Sequence, residues 1–293
     1  MAVSMRKQIA QNKRNTIVIM MVFVAMITLI GYLFAWLNNN PMILILFFVI
    51  SFGYALLQYF IADKVAIKTA GAKQIERSDN ERYYRAVERL ILEANIPLPK
   101  IYIIEDDAPN AFATGRDPNH ASIAVTTGLL EVMDDNELNA VIGHELSHIK
   151  NYDIRISMIV FGLVCLVGFM SDFGLRVLFY SDRKEEDNSP IGALFALIVL
   201  ILSPIVATIV QMSISRQREY LADASSATLT GNADDMIAAL RKLDTHTRPM
   251  RQQNVATEAM YIASPLHKST ISKLFSTHPP IESRIERLEN AKK

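Results

Sequence analysis

The sequence predicts a mainly α membrane protein. Two transmembrane helical hairpins, four spans in all, are expected to carry an α+β domain with a small β-sheet beside its central helix. Three observations predict this. Apolar residues make up 51% of the 293-residue chain against 20% charged, more than a soluble domain carries. Uncharged runs long enough to cross a bilayer recur along the chain. Between and after them lie two polar blocks, the first of which mixes helix-like with strand-like patterns.

Ile17 to Leu37 holds no charge over 21 residues, and Met42 to Ile61 none over 20. At about 1.5 Å per residue each can cross a hydrocarbon core of about 30 Å. The four residues "NNNP" between them allow only a tight helical hairpin. A secretory signal peptide fits the first run less well, because the run exceeds the usual apolar region and a second span follows at once. Ile191 to Met212 is another strong span, with Pro204 expected to kink it. Ile156 to Met170 gives only 15 residues before Asp172 and Arg176, and a buried soluble helix is the alternative there. The expected organisation is a cytoplasmic tail at 1–16, a hairpin at 17–61, a polar block at 62–155, a second hairpin at 156–212 and a second polar block at 213–293.

Orientation follows from the basic residues near the span ends. Arg6, Lys7, Lys13 and Arg14 precede the first span, Lys64, Lys68, Lys73 and Arg77 follow the second, and the loop between has none. Both polar blocks are therefore expected on the cytoplasmic side. Lysine plus arginine equals aspartate plus glutamate at 30 each, so no basic field points to nucleic acid. The single cysteine, Cys165, lies in an apolar run and reads as a small buried hydrophobe.

In the first polar block Glu81 to Ala94 reads as a helix after "SDN", "KIYIIE" as a strand, and "NAFATGRDPNHASIAVTTG" as two short strands around a turn. Asp134 and Glu137 form a capping-box pattern that opens the next helix. In the second block a helix should run through "SRQREYLADASSA", and a last one should follow "HPP" with Ile281, Ile285 and Leu288 on one face. Thr247 to Thr277 shows no clean period and is expected to be partly mobile.

The chemistry lies in "HELSHIKNYD". On a helix, His144 and His148 project from one side while Leu138, Ile142, Leu146 and Ile149 gather on the other. Glu145 lies about 100° round and can act on a water without ligating the metal. This is the HExxH arrangement of two histidine ligands for zinc and a glutamate general base. A metzincin would need glycine at 151 and histidine at 154, where the chain has Asn151 and Ile154. A glutamate from a later helix is the remaining common third ligand. Glu219 is the best candidate, because Asp223 one turn on can accept a hydrogen bond from the free ring N–H of a ligating histidine. His120, His246 and His267 have no such supporting spacing. A metal transporter would be expected to place acidic or histidine ligands inside the spans, and these hold none.

"HELSHIKNYD", "SRQREYLAD", "NAFATG" and "STHPPIESRIERL", with the placement of the spans, resemble the HtpX-type membrane metalloproteases, relatives of the CAAX prenyl endopeptidase. The resemblance runs over nearly the whole chain and implies a zincin-like catalytic domain. It carries over His144, His148 and Glu219 as ligands of one Zn2+, Glu145 as base and Asp223 as support. It also implies a multi-pass protease of the bacterial inner membrane whose substrates are damaged membrane proteins and other polypeptides. His278 is expected to donate to the oxyanion, with a plain helix-entry role as the alternative. Asn110 to Gly115 is expected to be an edge strand that pairs with an extended substrate, an ordinary core hairpin being the alternative.

A cysteine placed near residue 185 should be labelled from outside the cell and one near residue 120 should not, and the reverse pattern would overturn the topology.

Overall fold

The computed structural model describes residues 2–181, 216–252, 255–264 and 279–292. The expected span at 191–212 lies outside these residues. Helices α1 (Ala2–Leu37) and α2 (Met42–Thr69) form the first hairpin. Both are long and apolar enough to cross a membrane. Their outward side chains are large and apolar, with Trp36, Leu37, Met42 and Leu29 each 60% exposed or more. Contiguous exposed apolar surface on helices of this length is suited to lipid rather than water. The residues expected as a cytoplasmic tail are helical, since α1 runs from Ala2, and Asn12 and Thr16 on it are buried.

A short strand β1 (Lys73–Gln74) leads to α3 (Glu81–Ala94), whose first turn is capped by the side chain of Asn80 accepting from the Tyr83 N–H. Next come β2 (Lys100–Ile104), β3 (Ala111–Gly115) and β4 (Ala121–Thr126). The sheet order is β1-β2-β4-β3, with β2 and β4 parallel and the other pairs antiparallel, so β3 is an edge strand as expected. Its edge is partly covered. The backbone N–H of Ile262 donates to Ala111 O at 2.9 Å, and Asn110 donates from its amide to Ala263 O at 2.9 Å.

After α4 (Thr127–Val132) the capping box appears as read: Asp134 accepts from the Glu137 N–H while the Glu137 carboxylate accepts from the Asp134 N–H. It opens α5 (Asp135–Lys150), which carries "HELSH". Helix α6 (Asp153–Ser181) follows after a bend of 81°. The second polar block supplies α7 (Arg216–Thr230), α8 (Ala233–Thr245) and α9 (Ile281–Ala291).

The sheet is buried on both sides, which is why β3 and β4 read as unbroken apolar and small residues. One side packs Ile123 and Val125 against Leu138, Ile142 and Leu146 of α5, Val87 and Leu90 of α3, and Leu240 of α8. The other packs Phe112 and Ala124 against Ala62 and Ala66 of α2, Phe161 of α6, and Tyr261. A third cluster joins Phe23 of α1 and Ala55 of α2 to Ile156, Ile159, Val160 and Leu163 of α6. The membrane hairpin and the polar domain therefore share α6. Polar groups knit α6 to α2, where Tyr54 donates from its hydroxyl to Gly162 O at 2.7 Å.

The approach of α7 to α5 depends on a small residue. A Cβ on Gly143 would stand 3.0 Å from Ser226 Oγ, and that hydroxyl donates to Ala140 O at 2.5 Å. Gly143→Val should force the two helices apart and lower thermal stability in detergent by about 1–3 kcal/mol, the usual cost of overpacking. Gly53→Ala, at a position with nothing within 4 Å of the added methyl, should leave the melting temperature unchanged.

Candidate metal centre

Three side chains converge in the cleft between α5 and α7. His144 Nε2 and His148 Nε2 are 3.1 Å apart. Glu219 sets one carboxylate oxygen 3.7 Å from the first and the other 3.5 Å from the second. Among the described residues these form a group of histidine and carboxylate atoms able to hold an ion, all within 4.8 Å of one another. A tetrahedral ion with bonds of about 2.0–2.1 Å holds its ligand atoms about 3.3–3.4 Å apart. The spacing seen here is close to that edge length.

The orientation of each ring is fixed from behind. His144 Nδ1 lies 2.9 Å from Asp223 Oδ1, and His148 Nδ1 lies 3.0 Å from Asp153 Oδ2. A carboxylate accepts, so each Nδ1 carries a proton and each Nε2 is turned toward the other ring and Glu219. Two lone pairs at 3.1 Å repel unless a proton or a metal cation lies between them. The donor set of two imidazoles and a carboxylate, with both tautomers already set, fits a zinc-type ion.

Arg284 completes the wall. It is fully buried, donates from Nε to Asp223 Oδ2 at 2.9 Å and from Nη2 to Oδ1 at 2.6 Å, and holds Nη1 3.7 Å from Glu219 Oε2. The fork geometry matches a carboxylate on both oxygens. Burial acts to raise the Asp223 pKa, but Arg284 and the His144 ring outweigh it and hold the carboxyl below its usual range.

Burial pushes the Glu145 carboxyl up to about 7, aided by the charge of Glu219 and opposed by His148, Arg284 and the N–H of Ala113 on β3. A carboxylate poised near neutrality suits a general base. Tyr83 of α3 is buried nearby, and burial with the Glu145 charge drives its hydroxyl well above the usual phenol range. Burial lowers His144 to about 4, with Arg284 and His148 adding to the fall. For His148 burial acts downward too, but the bond to Asp153 and the charges of Glu219, Asp153 and Glu145 lift it to about 9. The opposed shifts favour the charged form of His148 over that of His144.

All five residues expected at the centre and described here, His144, Glu145, His148, Glu219 and Asp223, lie together. His278 and His267 lie outside the described residues. His120 is exposed and bonds Asp117 at 2.8 Å, away from the cleft. Sequence reasoning missed Asp153 and Arg284. Asp153 stood inside "HELSHIKNYD", but it follows the end of the helix, where spacing predicts no direction. Arg284 lies on the same helical face as Ile281 and Leu288, and a charge on an apolar face is the signal that was available.

Residues 77–292 match the family described as Peptidase family M48. The chain belongs to peptidase family M48. As a member of that family it is a peptidase of metal-dependent type, and the His144, His148 and Glu219 cluster is compatible with that. Within the family it is similar to several proteins named Protease HtpX homolog. One from Tropheryma whipplei (strain Twist) is 45% identical over 282 residues, covering 96% of each chain. One from Streptococcus gordonii is 44% identical over 291 residues, covering 96% of this chain and 98% of that one. A crystal structure of S. mikatae Ste24p aligns over 97% of this chain and 67% of its own, with a TM-score of 0.49 and 17% identity.

The shifted histidine gives this M48 cleft a measurable signature. A metal ion must displace the proton on His148, so binding should release close to one proton at pH 8, where Glu145 is already ionised. Apparent affinity should rise about tenfold per pH unit up to about 9 and flatten above it. Calorimetry in buffers of different ionisation heat measures the released proton directly.

Proposed function

We propose that the protein is a zinc metalloendopeptidase embedded in the bacterial inner membrane, with its active site on the cytoplasmic side. The observation that carries the reading is the convergence of the two Nε2 atoms and the Glu219 carboxylate, each ring held by a buried aspartate. His144, His148 and Glu219 are the proposed ligands, and Asp223 orients His144. Zinc is preferred from the donor set of two imidazoles and one carboxylate, which other divalent ions also accept.

When bound, zinc supplies Lewis acidity that favours ionisation of water and polarises a carbonyl. Glu145 takes the proton from the attacking water and later delivers it to the leaving amine. Its elevated pKa supports both steps, since the protonated form is reached without a large shift. His278 is the proposed donor to the oxyanion. The part of β3 beyond Phe112 is the proposed pairing edge for an extended substrate, recognised by its backbone and with little dependence on side chains.

Four spans are proposed, in two hairpins at 17–61 and 156–212. The catalytic domain is assembled from the blocks 62–155 and 213–293. The packing of α6 against both α1 and α2 supports its place in the membrane bundle. A cleft that adjoins the bundle favours substrates that are themselves in the membrane. Quality control of misfolded or damaged membrane proteins under stress is the role proposed on that basis.

Glu145→Gln should keep the metal and lower cleavage of a solubilised membrane substrate by about 10²–10⁴-fold, and near-normal cleavage would sink the assignment. Glu219→Ala should reduce bound zinc in elemental analysis. Unchanged metal content would move the third ligand elsewhere.

A further inference from the structure

The first membrane helix reaches the metal centre through one buried amide. Asn12 on α1 is 3% exposed, while Gln11, Lys13 and Arg14 beside it face outward. Its side-chain nitrogen donates both hydrogens, one to Asn151 O at 2.9 Å and one to Asp153 Oδ1 at 2.6 Å. The other oxygen of Asp153 faces His148 Nδ1 at 3.0 Å. Asn12 therefore touches the group that orients a proposed metal ligand, from 141 positions earlier in the chain.

The chemistry of this position is selective. A primary amide offers two donors from one nitrogen, so it can join a carbonyl to a carboxylate without adding charge. Arg218 Nη1 stands 3.9 Å from the same Asp153 oxygen, outside hydrogen-bond reach. Asn151 and Asp153 flank the bend of 81° between α5 and α6, and Tyr152 between them has a φ of 61°. The carbonyl and the carboxylate that Asn12 clasps thus lie on the two sides of the corner. An apolar residue in its place would leave the Asn151 carbonyl and the Asp153 carboxylate without these bonds, and the carboxylate free to turn away from His148.

We infer that Asn12 is a positioning residue for the metal centre. Through Asp153 it fixes the ring of His148, so ligand geometry depends on α1 being seated against the corner between α5 and α6. The inference rests on the metal-centre reading and adds to it a dependence on the membrane hairpin. Loss of the amide should loosen one ligand and leave the other two in place, because His144 and Glu219 are braced by Asp223 and Arg284.

The test uses the full chain in detergent, with Co2+ as probe and its visible absorption as a report on the ligand set. Asn12→Ala and Asn12→Leu should weaken cobalt binding by about tenfold or more and shift the absorption bands, the usual scale for losing a group that supports a ligand. Thr16→Val should bind as wild type, because that buried hydroxyl bonds back to Asn12 O at 2.9 Å within α1. Asn12→Ala combined with Asp153→Ala should bind no more weakly than Asp153→Ala alone, since both act along one path. Asn12→Ser keeps a donor on a shorter arm and should lose less, which keeps the test open where alanine compromises folding. Wild-type affinity and spectrum in the Asn12 variants, or losses that add to those of Asp153→Ala, would overturn the role of Asn12 and leave the centre standing. Cobalt that binds wild type no better than His144→Ala would overturn the centre itself.

Discussion

The arrangement depends on balancing buried charge. Glu145, Asp153, Glu219 and Asp223 are all buried, and the one arginine fully buried among them is Arg284. An isolated carboxylate in such surroundings is strongly disfavoured, so each must find a cation or a set of donors. Arg284 answers for Asp223, the proton on His148 answers for Asp153, and Glu219 faces both rings. The cleft remains short of positive charge, which is the condition under which a divalent cation gains most from entering. The same shortage explains the opposite shifts of the two histidines. His144, beside Arg284, is held neutral, and His148, ringed by acids, holds its proton.

Holding that charge in place requires α5 to be buried nearly all round. Its apolar side, Leu138, Ile142 and Leu146, rests in the core with α3 and the sheet, while its polar side meets α7 closely enough for Ser226 to bond Ala140 O. Only glycine at 143 permits that approach without displacing Ser226. The sheet contributes from the other direction, since the Ala113 N–H on β3 reaches the Glu145 carboxylate. Strand and helices therefore meet at Glu145, and distortion of any of them is felt there.

What was legible in the sequence was what repeats locally. The spans show as uncharged length, α5 as a capping box followed by a helical period, and the ligand pair as a separation of one turn. Glu219 and Asp223 were found because they repeat that one-turn spacing on a second helix. Arg284 and Asn12 were not, because each acts across a large separation and has an ordinary surface reading at its own position, and Asp153 was not, because it lies past the end of α5, where spacing gives no direction. The segment 255–262 was missed for a related reason. Ala256, Met260, Tyr261 and Ile262 are buried, yet they are held by β3 and α6 and by no period of their own. Burial created by distant contacts leaves little trace in a local pattern.

The corner between α5 and α6 joins these points. A straight continuation of α5 would carry α6 away from the α1–α2 hairpin, against which Ile156, Ile159, Val160 and Leu163 pack. The bend avoids this by ending α5 at Lys150 and starting α6 at Asp153. That places an acid in the first turn of α6, where the helix dipole favours a negative charge. The carboxylate so stabilised is the one that holds His148 and is held by Asn12. The turn from the polar domain toward the membrane-capable hairpin and the support of His148 thus fall on one residue, and for that reason neither can be altered without disturbing the other.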